Sequence, residues 1–161
     1  MSARNDQVHA VERFLRKRGV DFEILWHRES DGRTSSEAAR AWGTTLDRVI
    51  KTLILLDRSG EPLMVLLQGH KRLDLKRTES LTHRSGLRLA RPDEVLELTD
   101  CDVGGIPPLA LGRKMQVMVD ERVTELEWAF GSAGSRYAGL KIKPTDLVRL
   151  NNAKVGQVAE R

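Results

Sequence analysis

The chain has 161 residues, 40% of them hydrophobic and 31% charged, with one cysteine and a formal net charge of +4. That length and composition suit one globular domain with a sizeable core. No run approaches the roughly 18 apolar residues of a membrane span, and a single cysteine excludes an internal disulfide and any multi-cysteine metal centre.

The first residues form a charged amphipathic pattern unlike a signal peptide, so the expectation is a cytoplasmic protein with no membrane partner. Residues 6–18 place Val8, Val11, Phe14 and Leu15 on one helical stripe, with Gly19 as the stop. Asp21 to His27 alternates as a short strand. Residues 30–43 read as a turn and then a helix, with Thr34 or Ser35 as N-cap and Glu37 in the first turn. A short turn at 44–49 leads into the most apolar run of the chain, Val49-Ile50-Lys51-Thr52-Leu53-Ile54-Leu55-Leu56, a strand by composition. Arg58-Ser59-Gly60-Glu61 is a hairpin signal and Pro62–Leu67 the returning strand.

A helix is expected over Leu73–Thr82 and a brief strand over Arg88–Ala90. Pro92 opens a further helix to about Leu98, with Asp93 and Glu94 favouring its dipole. A glycine- and proline-rich loop follows at Val103–Pro108. Met115–Asp120 alternates as a strand, Glu121–Glu125 is a polar turn, and a strand lies near Glu127–Phe130. Residues 131–139 then read as a loop before a strand at Leu140–Lys143, and Pro144 opens the last helix. Without a regular βαβ rhythm, the expected fold is α+β: one domain over residues 1–161, with a mixed sheet or barrel-like core flanked by helices.

Lys51 is the residue that does not fit its strand. Burying an unpaired ammonium costs several kcal/mol or depresses its pKa, so such a lysine either reaches water from the strand end or lines a cleft. Gly104-Gly105-Ile106-Pro107-Pro108 joins flexible glycines to rigid prolines and can present the N–H groups of Gly105 and Ile106 to an oxygen. Gly131-Ser132-Ala133-Gly134-Ser135 is small enough for a ligand to approach the backbone. Taken singly, each of these loops is equally an ordinary tight turn. Neither matches a phosphate-binding loop or a dinucleotide fingerprint. Cys101 sits between Asp100 and Asp102, whose charges raise a thiol pKa, so it makes a poor nucleophile. His9, His27, His70 and His83 lack metal-ligand spacing, and neither a metal nor a cofactor is expected.

The charge is uneven. Between Lys71 and Arg91 lie seven basic residues (Lys71, Arg72, Lys76, Arg77, Arg84, Arg88 and Arg91) against Asp74 and Glu79, a net +5. The rest of the chain therefore sums to about −1 of the +4 total. Such a window suits a polyanion such as RNA, and equally a solvated helix face.

Several short motifs recur in a recognisable order: Ile24-Leu25-Trp26-His27, then Thr34-Ser35-Ser36-Glu37-Ala38-Ala39, then Val49-Ile50-Lys51-Thr52-Leu53. They are followed by Gly69-His70-Lys71-Arg72-Leu73-Asp74-Leu75, Gly104 to Pro108, Val119-Asp120-Glu121 and Ser132-Ala133-Gly134. In this order the chain resembles the YbaK/prolyl-tRNA synthetase-associated domain family, freestanding aminoacyl-tRNA deacylases related to the editing insertion of bacterial prolyl-tRNA synthetase. The resemblance runs from roughly Val20 to Asn151.

It implies hydrolysis, without a metal, of the ester joining a wrong amino acid to the 3′-terminal adenosine of a tRNA. The implied substrate is a small amino acid such as alanine or cysteine on tRNA(Pro), with serine and threonine left open. Lys51, Gly105 and Ile106 would be catalytic, Lys51 orienting and polarising the ester; a general-base role for Lys51 is the alternative. Substrate contacts would come from His27, Thr34, Gly69, His70, Gly104, Pro107, Pro108, Ser132, Ala133 and Gly134. Lys71, Arg72, Lys76 and Arg77 would meet the tRNA backbone.

The partner implied is a mischarged aminoacyl-tRNA, with a synthetase as a second partner and the oligomeric state left open. A non-catalytic aminoacyl-tRNA or synthetase binding module of the same fold is the competing reading. Four departures bear on it: Gln68 where members often carry proline, His70 where an acidic residue is common, Cys101 in a glycine position, and the segment Arg28–Gly32. The first two, expected beside the pocket, leave substrate identity open.

Overall fold

The structure, a computed structural model, describes residues 3–28, 32 and 34–161, with side chains from residue 6 onward. In chain order the elements are α1 (Ala3–Lys17), β1 (Phe22–Trp26), α2 (Ser35–Ala41), β2 (Ile50–Leu56), β3 (Pro62–Gln68), α3 (Leu75–Thr82), β4 (Arg88–Leu89), α4 (Pro92–Thr99), β5 (Gln116–Asp120), β6 (Ala129–Ser135), β7 (Ala138–Ile142), α5 (Pro144–Leu150) and β8 (Lys154–Gly156). Single 3-10 turns occupy Leu46–Arg48 and Val123–Glu125. Among the described residues no helix is long and apolar enough to cross a membrane.

Each boundary has a local cause. The α1 stripe buries Val8, Val11 and Leu15 completely, and the helix stops at Gly19, whose φ of 64° suits a residue without Cβ. Thr34 caps α2 by accepting from the Glu37 N–H at 3.1 Å, and Asp74 caps α3 by accepting from the Arg77 N–H at 3.0 Å. The turn before β3 is fixed by Asp57, whose carboxylate accepts from Ser59 and Glu61 N–H groups.

The strands form two sheets. One is antiparallel in the order β1-β7-β6, with α1 against β6. The other runs β4-β2-β3-β5-β8 and is mixed: β2 and β3 are an antiparallel hairpin, while β5 pairs in parallel with both β3 and β8. A bridge between Val49 and Phe130 joins the sheets at one seam. They do not close, so the barrel-like core expected from sequence is instead two open sheets. Closure needs every edge paired, and β4, with two residues, is too short to carry the ladder further.

Alternation along β2 assigns its two faces. Ile50 and Ile54 enter the main core with Val8, Val11, Leu15, Met64 and Leu66. Leu55 enters a second cluster with Leu63, Val65, Leu67 and Met118, against which Leu53, Leu73 and Leu81 pack. Only Lys51, Thr52 and Leu53 of this strand are incompletely covered. These three residues line the opening of a cleft.

One further expectation is corrected, and one strand was not foreseen. Residues 131–139 are not a loop: β6 continues to Ser135, Arg136 and Tyr137 turn, and β7 begins at Ala138. Glycine is disfavoured in strands, but here the neighbours come too close for side chains. A Cβ on Gly134 would lie 3.1 Å from the Gln7 backbone, and one on Gly139 would collide with the Trp42 indole. The short strand β8 has no sequence signal. It is held from a distance by Asp120, fully buried, whose carboxylate accepts from the N–H groups of Val158, Ala159 and Arg122 at 2.9, 3.0 and 3.0 Å.

Candidate functional site

Lys51 stands half-buried on β2 and lines a cleft of about 260 Å³. Burial pushes its pKa below the ordinary lysine value of 10.5. Among the described residues no carboxylate pairs with it, so its charge is available to a ligand. One wall of the cleft is the start of α2 with Thr34, Ser35 and Ala38, closed by Trp42 at the end of that helix. The opposite wall is Val103, Gly104 and Ile106, with Ser132 from β6.

That second wall is fastened at three points. The Ser132 hydroxyl donates to the Gly104 carbonyl at 2.7 Å. Arg136 donates to the Val103 carbonyl through Nε at 3.0 Å and Nη2 at 2.9 Å. Further on, Asn151 donates to the Pro108 carbonyl and accepts from the Ala110 N–H, both at 2.9 Å. Gly104 takes a φ of 89°, and Gly105 lies so flat on the β6 end that a Cβ would be 3.2 Å from the Ser135 backbone.

This geometry separates the two amides singled out from sequence. The Gly105 N–H already donates to the Asp102 carbonyl at 2.9 Å, so it is withdrawn from the role of oxyanion donor. Ile106 is 5% exposed, and its N–H meets no acceptor among the described residues. A backbone N–H without a protein acceptor is open to a ligand's oxygen, and a fixed donor on a cleft wall can stabilise negative charge developing on that oxygen.

Of the residues expected at the site, Lys51, Thr34, Gly104, Ile106 and Ser132 come together in the cleft. His27 is one ring removed: its imidazole meets Trp42 edge-on at 5.7 Å, and its Nδ1 lies 2.6 Å from the Arg28 carbonyl. Gly69 backs onto Ser35, where a Cβ would collide with the hydroxyl. Pro107, Pro108, Ala133 and Gly134 are buried behind the wall. Gly105 and Gly134 face a second cavity of about 250 Å³ on the other side of the loop, shared with Cys101 and Arg136. His70 is exposed in the turn after β3.

Gln68 also proves structural and not pocket-lining: it is 8% exposed and donates to the Asp47 carbonyl at 2.8 Å, clasping β3 to the turn before β2. Cys101 is 3% exposed, and its thiol pKa is pushed up to about 11, first by burial and only then by Asp100 and Asp102. Residues 29–31 and 33, which hold most of the Arg28–Gly32 departure and of the predicted turn, lie outside the described residues.

The basic window divides. Arg84 pairs with Asp57 at 3.3 Å, Arg88 grips Glu94 through two bonds of 2.8 and 2.9 Å, and Arg91 pairs with Asp93 at 3.2 Å. Lys71, Arg72, Lys76 and Arg77 have no ion-pair partner among the described residues. Trp42, Arg136 and Asn151 were not legible in advance. Each acts on a segment distant in sequence, and no spacing rule marks an isolated aromatic, arginine or asparagine.

Comparison with known proteins places this geometry. A family model described as an aminoacyl-tRNA editing domain matches residues 29–150. The Escherichia coli (strain K12) protein named multifunctional Ser/Thr-tRNA deacylase ProXp-y is 31% identical over 143 residues, covering 84% of this chain and 83% of the relative. A proline--tRNA ligase of Nitratidesulfovibrio vulgaris is 30% identical over 117 residues, 72% of this chain but 20% of the ligase. A crystal structure described provisionally as a trans-editing enzyme for prolyl tRNA synthetase superposes with a TM-score of 0.86 at 29% identity, covering 96% of this chain and 98% of the other.

Proposed function

The chain belongs to the aminoacyl-tRNA editing domain family, and from that premise we propose that it is a deacylase acting in trans on mischarged aminoacyl-tRNA. The observation that carries this reading is that Lys51, whose ammonium meets no carboxylate among the described residues, and Ile106, whose N–H meets no acceptor among them, line one cleft. An aminoacyl ester is already activated, so the protein has only to orient it and stabilise the charge that develops. Ile106 N–H polarises the ester carbonyl. Lys51 holds the carbonyl oxygen or the terminal phosphate. Water, oriented by a neighbouring ribose hydroxyl, adds to the carbonyl carbon and gives up a proton; the tetrahedral intermediate collapses by expelling the ribose oxygen, which takes up that proton, and the free amino acid and the deacylated tRNA leave.

The acyl group is small, of the size of alanine, cysteine, serine or threonine, in keeping with a relative named for Ser/Thr-tRNA, and tRNA(Pro) is the favoured carrier given the kinship with proline--tRNA ligases. No metal or cofactor enters the scheme. Lys71, Arg72, Lys76 and Arg77 track the acceptor-stem backbone, supplying affinity without sequence readout.

The test is deacylation of alanyl-, cysteinyl-, seryl- and threonyl-tRNA(Pro) with and without EDTA. EDTA-insensitive hydrolysis of at least one of these esters is expected. A folded protein that binds these tRNAs and hydrolyses none of them would instead be a binding module of the same fold.

A further inference from the structure

The cleft has one wall whose position is set by shape alone. Trp42 lines the cleft at the end of α2 and lies against Gly139 of β7. A Cβ at position 139 would overlap the indole at Nε1 and Cε2. The indole N–H is buried and, among the described residues, has no hydrogen-bond partner. A buried tryptophan normally finds one; here no polar bond from the described residues fixes the ring. It is held instead by Ala38, Ala39 and Val49 and by the edge of His27 at 5.7 Å. Gly139 therefore decides how far the ring withdraws from the cleft, because only a residue without Cβ lets it settle on the strand.

We propose that Trp42, seated on Gly139, sets the upper size limit of the acyl side chain that the cleft admits. This deepens the deacylase reading and rests on it. Shortening the ring lengthens the cleft, and adding a methyl group beneath it drives the ring into the cleft. A hydrophobic wall discriminates by roughly 10–200-fold for each methylene-sized step, so changes of that order are expected in substrate preference and not in overall competence.

The experiment measures kcat/KM of wild type, Trp42→Phe, Trp42→Ala and Gly139→Ala on alanyl-, valyl- and leucyl-esters of one tRNA. The ratio of large to small ester does not depend on the fraction of folded enzyme, and Trp42→Phe keeps the test informative if the alanine variant is unstable. The ratio should rise in the order wild type, Trp42→Phe, Trp42→Ala, reaching at least tenfold, and fall in Gly139→Ala. Equal ratios in all four proteins, with only the absolute rates lowered, would overturn the proposal and make Trp42 a packing residue; wild-type hydrolysis of alanyl ester would still stand. If the wild type hydrolyses none of the three but does hydrolyse the cysteinyl, seryl or threonyl ester, the ratio is taken against that ester; if it hydrolyses none of those either, the deacylase reading falls and this one with it.

Discussion

Lys51 carries opposed demands. Burial disfavours its ammonium form, so its pKa lies below 10.5, yet the proposed role requires the cation. Deacylation should therefore decline on the alkaline side at a pH below the ordinary lysine value, once spontaneous ester hydrolysis is subtracted. Lys51→Arg, if active, should move that limb upward, because a guanidinium stays charged above pH ~12; an unmoved limb would show that another group titrates. The linkage has the matching sign. For a base whose folded pKa is lowered, the penalty of holding the charge is present below that pKa and relieved as pH rises towards the unfolded value. Lys51→Met should thus melt above the wild type at neutral pH while losing activity. Lys51 is legible in sequence because one charge in an apolar run is conspicuous. The division between Gly105 and Ile106 is not, since which amide is already bonded within the loop depends on backbone angles that the residue types leave open.

At the scale of elements, the loop from Val103 to Pro108 is only as well placed as its fastenings. Arg136→Ala removes both bonds to the Val103 carbonyl; they are exposed, so water replaces them at little net cost to stability. We expect kcat to fall roughly tenfold with little change in KM or melting temperature, measured under single turnover. A matching fall in thermal stability would make the arginine structural. Asp120 is the opposite case. Its carboxylate satisfies three backbone N–H groups while fully buried, and leaving such donors unmade costs about 1–3 kcal/mol each. Asp120→Ala should lower the denaturation midpoint by several kcal/mol equivalent and release the C-terminal segment to early hydrogen exchange. Most elements were legible from periodicity and caps. The β6–β7 hairpin was not, because its glycines answer to Pro108, Gln7 and Trp42, and β8 was not, because three residues carry no period.

For the molecule as a whole, charge is distributed by pairing and not by sequence position. The +5 window was visible in the chain, but its division was not: the carboxylate that takes Arg84 is Asp57, 27 residues earlier. Neutralising Arg72, Lys76 and Arg77 together should weaken tRNA binding at low salt and reduce the slope of log affinity against log salt by roughly 2–3, at ~0.7–0.9 per phosphate contact. Neutralising Arg84, Arg88 and Arg91 should leave that slope unchanged and lower stability instead. Equal effects on binding from both triples would mean that the basic residues without an ion-pair partner among the described residues and the paired arginines are not functionally distinct.

The central claim is that one cleft, centred on Lys51, breaks the ester. The most direct measurement is the single-turnover deacylation rate of wild type and Lys51→Ala on the ester hydrolysed fastest, with tRNA affinity measured beside it. The account predicts a rate loss on the order of 100-fold or more, typical of removing a charge-stabilising group, with affinity nearly unchanged. A folded Lys51→Ala protein that binds the tRNA and hydrolyses the ester at the wild-type rate would contradict it.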